Sequence, residues 1–287
     1  MNKYKLLVWI IILSSTVGFS QASVDHDVDK NSLKPRIISL APSLTESIYL
    51  LDMGEYLVGN TFYCNKPEDA KNKPRVASAV DVNIEEVVRL KPDLVLATQL
   101  TDPRAIRKLK AMHINTMAFK QPYSFNQMAE QFLCIAKRLE REHLAKTIIN
   151  HSRRKLEIIT NRLNHVTKPS VFIQLGARPI FAATSESFVN DLVTYAKGVN
   201  IAENEKTGIY SREMLLVQNP DIILITSMGI KGSEEKKQWL KFRSLKAVQT
   251  NRIYIIDSEL FCSPSVASFV DALKQLVLLL HPQVSWK

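Results

Sequence analysis

The apolar positions of this chain switch between a two-residue and a helical period, and the switching predicts strands and helices in turn. Arg36-Ile37-Ile38-Ser39-Leu40 reads as a first strand, and Ala41-Pro42-Ser43 turns into a helix running to Leu51. Ser43 as N-cap with Glu46 three residues on predicts a capping box at its start. Leu57-Val58-Gly59 reads as a second short strand, followed by a loop over 61–73. A helix over 84–90, a strand over 94–97, a helix over 103–112 and a strand from Ile114 to Phe119 come next. Strands and helices alternating at this spacing predict a parallel, helix-covered sheet.

Residues 124–165 break the rhythm, with no Gly and no Pro across 42 positions and apolar residues at a helical period. Two helices fit, Phe125–Leu139 and His143–Leu163. At 1.5 Å per residue the second spans ~30 Å, enough to cross a lobe. Alternation resumes at Pro169, with a strand over Val171–Gln174, a helix from Ser187, a strand over Ile253–Ile256 and a closing helix near Val266–Leu280.

The pattern also repeats. NIEEVVRLKPDLVLAT (83–98) and SREMLLVQNPDIILIT (211–226) share five of sixteen positions: Glu85/Glu213, Pro92/Pro220, Asp93/Asp221, Leu96/Leu224 and Thr98/Thr226. Each copy reads as a short helix, a Pro-Asp turn and an apolar strand. The expected fold class is therefore α/β, with two α/β lobes of parallel sheet joined by one long backbone helix and a ligand cleft between them. The N-terminal lobe covers 35–123, the helical connection 124–166 and the C-terminal lobe 167–287. The competing reading is one continuous domain with an internal helical hairpin. Two similar lobes around a cleft point to small-molecule binding, and a stiff connecting helix permits only small relative motion.

The N-terminus adds a location. A basic MNKYK, an apolar LLVWIIILSSTVGF and Ser20-Gln21-Ala22 form a signal-peptide pattern with cleavage after Ala22, an uncleaved anchor being the alternative. Residues 23–34 read as a flexible polar arm. Cleavage removes Lys3 and Lys5 and lowers the formal charge from +10 to +8. The cations are scattered and no nucleic-acid motif occurs, which argues against a nucleic-acid partner. Of Cys64, Cys134 and Cys262, the second falls in a helical pattern and reads as buried; a Cys64–Cys262 disulfide stays open. No HExxH, CxxC, GxSxG, GxxxxGK[ST] or GxGxxG occurs, so neither a protein-held metal nor an enzyme is expected.

In RIISLAPSLTESIYLLDMGEYLVGNTFYCNKPEDAKNKPRV (36–76), NIEEVVRLKPDLVLA (83–97), ARPIFAATSESFVNDLVTYAKGVNIA (177–202) and NRIYIIDSELFCSPSVASFVDAL (251–273), the chain resembles the helical-backbone substrate-binding proteins of bacterial ABC importers. These bind cobalamin, ferric siderophores or haem, and the cobalamin binders are the nearest. The resemblance implies a periplasmic, monomeric receptor with no cofactor of its own. Its ligand is a metal chelate, and its partners are a membrane permease and the associated ATPase. Two departures stand out: where the cobalamin binders place aromatic residues before each repeat copy, this chain has Ala79 and Lys206-Thr207-Gly208.

Open α/β sheets bind ligands beyond the strand C-termini. The loops there offer Ser43, Tyr63, Arg104, Gln121, Arg178, Tyr210 and Phe261. Aromatic faces pack on flat macrocycles and Arg pairs with carboxylates. Tyr63, Arg178, Tyr210 and Phe261 are thus the expected ligand contacts. Glu85 and Glu213 sit in helix first turns, where the amide dipoles alone account for a carboxylate. The resemblance implies more, that one acid per lobe docks on Arg residues of the permease.

Overall fold

The computed structural model describes residues 34–78, 81–226 and 231–284. The expected signal peptide, the arm up to residue 33 and Ala79 lie outside the described residues. In chain order the first lobe holds β1 (Ile37–Ser39), α1 (Pro42–Leu50), β2 (Leu57–Thr61), β3 (Arg75–Ala77), α2 (Ile84–Arg89), β4 (Leu94–Thr98), α3 (Pro103–Ala111) and β5 (Thr116–Phe119). The connection is α4 (Phe125–Arg138) and α5 (Glu142–Asn161). The second lobe holds β6 (Ser170–Ala177), β7 (Ile180–Ala182), α6 (Phe188–Tyr195), β8 (Val199–Asn200), β9 (Ile209–Tyr210), α7 (Arg212–Gln218) and β10 (Ile222–Thr226). It closes with α8 (Gly232–Trp239), α9 (Lys246–Gln249), β11 (Ile253–Ile256), α10 (Ser258–Cys262) and α11 (Ser268–Leu280).

The repeat is structural. α2–β4 and α7–β10 are the same unit, and each strand lies beside the first strand of its sheet. Asn83 and Ser211 cap the helices, their side chains accepting from Glu86 N and Met214 N. Lys91 (φ 45°) and Asn219 (φ 43°) end them in the left-handed region, and a Pro prevents continuation. The shared Asp has a purpose. Asp93 Oδ2 accepts the Arg36 N–H at 2.7 Å, and Asp221 Oδ2 accepts the Ser170 N–H at 2.7 Å. Each carboxylate thereby satisfies a donor at the start of the neighbouring strand. All five residues of β4 and of β10 are buried, as continuous apolar runs covered on both faces should be.

The N-terminal sheet, β3-β2-β1-β4-β5, is parallel throughout. The C-terminal sheet, β11-β10-β6-β7-β9 with β8 on β6, is mixed rather than parallel as expected. Only Arg178-Pro179 separates β6 from β7, and so short a link permits only an antiparallel hairpin.

One hydrophobic core joins both sheets. It runs from Ile37, Leu44 and Leu96 through Phe132, Ile149 and Leu156 to Ile173, Leu224 and Phe269. The outer faces have separate cores, Val95 and Leu109 under α2 and α3, and Ile223 and Trp239 under α7 and α8. The long helix α5 therefore does not bridge the lobes bare. It buries Ala145, Ile149, Ser152, Leu156 and Ile159 along one stripe against the shared core.

Two local expectations are corrected and one open alternative is closed. α1 starts at Pro42 with Ala41 as an N-cap that makes no side-chain bond, so no capping box forms; Glu46 faces the other lobe instead. Cys134 is exposed, because Phe132, Ile135 and Ala136 take the inward face of α4 and Cys134 falls opposite. Cys64 is an unpaired buried thiol, held between Thr45 Oγ1 at 3.1 Å and Thr61 Oγ1 at 3.2 Å.

Candidate functional site

The strand C-termini of the N-terminal lobe present an apolar rim. Phe62 and Tyr63, just after β2, are 63% and 57% exposed, and Leu100, after β4, is 70% exposed. Tyr123, beyond β5, is also exposed. Large apolar groups exposed along one end of a sheet are candidates for an interaction surface. Arg75 braces the loop carrying Tyr63. Arg75 Nη1 donates to Asn60 Oδ1 at 2.7 Å, to the Thr61 carbonyl at 2.5 Å and to the Cys64 carbonyl at 3.2 Å. Its Nη2 donates to the Lys71 carbonyl at 3.0 Å. Tyr63 is thus displayed on a braced loop.

On the other lobe, Arg178 is exposed at the β6–β7 turn. Tyr210 and Phe261 are not rim residues, which corrects the expectation for both. Tyr210 is 4% exposed with its ring 5.0 Å from that of Phe172, and burial raises its pKa. Phe261 is 1% exposed within the shared core. Each falls on the inward face of its element, where apolar contact outweighs nearness to the cleft. Of the weaker candidates, Arg104 is exposed on α3, whereas Ser43 and Gln121 are half-buried.

Sequence reasoning missed Phe62, Leu100, Tyr123 and Phe181. Phe62 and Leu100 carry a signal, an apolar residue at the first positions after a strand; Tyr123 lies further along its loop and Phe181 inside β7, where no such signal exists. Phe181 bears on the departure at Lys206-Thr207-Gly208. Gly208 has φ 69°, and a Cβ there would meet the Phe181 ring at 2.8 Å. The ring, 43% exposed, therefore lies over the glycine backbone.

The two lobes touch at this end. Glu259 of α10 accepts from Asn65 Nδ2 at 3.1 Å and pairs with Lys66 at 3.5 Å. Deeper, Glu46 of α1 accepts from Ser265 Oγ at 2.8 Å and Ser268 Oγ at 3.2 Å, at the start of α11. Burial pushes the Glu46 carboxyl above the usual carboxylate range, and the two serine bonds oppose that shift. Asp191 of α6 accepts the Phe125 N–H at 2.7 Å and so ties α4 to the second lobe.

Glu85 and Glu213 are both exposed in the first turns of α2 and α7. The Glu213 carboxyl is held below its ordinary pKa by its own backbone N–H and the Ser211 hydroxyl, so it stays ionised. A buried network fixes its helix. Arg212 lies 4.4 Å over the Trp239 ring and donates to Glu235 at 3.1 Å; Glu235 also accepts from Gln174, which accepts from Trp239 Nε1 at 2.7 Å. The N-terminal copy has Ile84 in place of Arg212, so only the second acid is anchored this way. Among the described residues no cluster of His, Cys, Asp and Glu could hold a metal ion.

The arrangement has relatives. An ABC transporter substrate-binding lipoprotein of Bacillus subtilis is 27% identical over 90% of this chain and 83% of its own length. The vitamin B12-binding protein of Vibrio cholerae superposes with a TM-score of 0.74 at 25% identity, covering 86% of this chain and 96% of that one. An S. aureus protein in complex with haem superposes with a TM-score of 0.73 at 25% identity, over 86% and 99%. The family model described as periplasmic binding protein matches residues 37–260, and the chain belongs to that family.

Proposed function

We propose that this protein is the receptor of an ABC importer and captures a corrinoid between its lobes. The observation that carries the reading is the apolar rim of Phe62, Tyr63, Leu100 and Tyr123, with Arg178 and Phe181 on the other lobe. A flat macrocycle with polar side arms matches aromatic faces backed by a cation. Pre-formed contacts between the lobes and a shared core favour a small closure on binding rather than a wide hinge. Glu85 and Glu213 then dock the loaded receptor on the permease, one acid per lobe, and the partner ATPase drives transport. The receptor itself performs no catalysis in this reading.

Isothermal titration of cobalamin into the exported protein tests it. Saturable one-to-one binding, weakened at least tenfold by Tyr63→Ala, is the expected result; absence of heat and of competition refutes the corrinoid. The exposed Tyr63 phenol supports a second reading, haem, whose iron a tyrosinate can ligate. A haemin titration followed by the Soret band, with Tyr63→Phe as control, separates the two. A ferric siderophore is tested next if both fail.

A further inference from the structure

We propose that the outer flank of the N-terminal lobe, presented by α3, contacts anionic phospholipid headgroups while the receptor is docked. The geometry rests on the docking reading above. α3 places Arg104, Arg107 and Lys108 at i, i+3 and i+4, on one face, with Lys110 beside them. Ala105 and Leu109 point the other way, into the core under the sheet. All four cations are exposed. The helix contains no acid, and the carboxylate just before it, Asp102, caps it by accepting the Arg104 backbone N–H at 2.8 Å.

Other cationic helices carry their own counter-charges. α5 combines Arg153, Arg154 and Lys155 with Glu157, and pairs Lys146 with Glu142 at 3.1 Å. α8, the topological counterpart of α3 in the second lobe, combines Lys236 and Lys237 with Glu234 and Glu235, and Lys231 pairs with Glu234 at 3.2 Å. The side chains of Arg104, Arg107, Lys108 and Lys110 form no ion pair among the described residues, so no carboxylate on α3 itself offsets them.

The position of α3 gives these charges a target. In a parallel βα lobe the helices start where the strands end, so Glu85 of α2 and Arg104 of α3 share the docking end. Arg107 and Lys108 follow one helical turn later, ~5 Å further from that end. When Glu85 meets the permease, this stripe comes to lie over the bilayer around it, within reach of a field that decays over ~8 Å in physiological salt. A row of like charges suits a laterally uniform anionic surface, to which each added cation strengthens partitioning.

The test compares the full chain with the Arg104→Gln, Arg107→Gln, Lys108→Gln, Lys110→Gln variant in vesicle co-sedimentation. Vesicles are phosphatidylcholine alone or with phosphatidylglycerol. Both proteins carry the same N-terminal segment, so any insertion by it contributes equally. Phosphatidylglycerol should raise partitioning of the parent in a salt-sensitive manner, and the variant should partition about tenfold or more weakly on those vesicles only. Equal partitioning of the two proteins overturns the proposal. So does weaker binding of the variant to the permease in phosphatidylcholine nanodiscs, which would assign α3 to a protein partner. Unchanged melting temperature confirms that the variant folds. The vesicle comparison needs neither ligand nor permease, so failed ligand binding would sink the transport reading and leave this result standing.

Discussion

Replacing Arg75 by Met removes the brace of the Tyr63 loop while keeping an apolar stem of similar length. Four acceptors lose a charged donor: Asn60 Oδ1 and the carbonyls of Thr61, Cys64 and Lys71. Hydrogen bonds to charged groups contribute about 1.5–3 kcal/mol each, and water reaches part of this site, so the sum is not additive. A loss of about 2–4 kcal/mol in global stability is expected, measured by urea unfolding followed by circular dichroism. The local effect should be larger than the global one. Arg75 holds the Lys71 carbonyl directly, so trypsin should cut after Lys71, a bond the parent protects; Lys66 and Lys73 precede Pro and stay intact. Ligand affinity should fall in parallel, because Tyr63 is no longer held in place. Arg75→Lys should recover little, since a single ammonium cannot reproduce the guanidinium fork. Unchanged cleavage after Lys71, or full rescue by Lys, would refute the reasoning.

Further outcomes follow from the same contacts. Phe261→Ala should cost about 3–5 kcal/mol of stability as a core cavity, whereas Tyr63→Ala should cost little stability and much affinity; the reverse would return Phe261 to the rim. The raised pKa of Glu46 means the folded state binds its proton more tightly than the unfolded state. Its contribution is therefore present below the ordinary carboxylate pKa and is lost as pH rises through the folded value. Glu46→Gln should flatten the part of the melting-temperature profile that lies above the ordinary carboxylate pKa, and an unchanged difference from the parent there would refute the assignment. Glu85→Ala with Glu213→Ala should abolish uptake in cells while leaving ligand affinity intact; normal uptake would end the docking reading.

The helices of the connection were legible because their signal is local. The apolar stripe of Phe125, Met128, Ala129, Phe132 and Ile135 has the period of one helix face, and the start at Phe125 needs only Ser124 as its cap. The repeat was legible for the same reason, since cap, Pro-Asp turn and buried strand follow one another within sixteen residues. Even so, the partner of the repeated Asp could not be read, because Asp93 and Asp221 serve donors 57 and 51 residues away. The rim was half legible. Tyr63 and Arg178 are exposed, as their loop positions suggest, but position along the chain does not distinguish an outward side chain from an inward one, and Tyr210 and Phe261 turn inward.

The chain alone therefore determined what short-range physics controls: the order of elements, the amphipathic helices, the twin units and, through the resemblance, the family. Tertiary structure decided what depends on residues far apart in sequence meeting. Glu46 illustrates the division. Its spacing from Ser43 suits a capping box, yet it accepts from Ser265, 219 residues on, because folding brings the start of α11 against α1 and leaves a half-buried carboxylate that must find donors. The shared core has the same origin. Each sheet must cover two apolar faces, α2 and α3 or α7 and α8 cover one, and the remaining faces are satisfied only by closing on the same layer of helices.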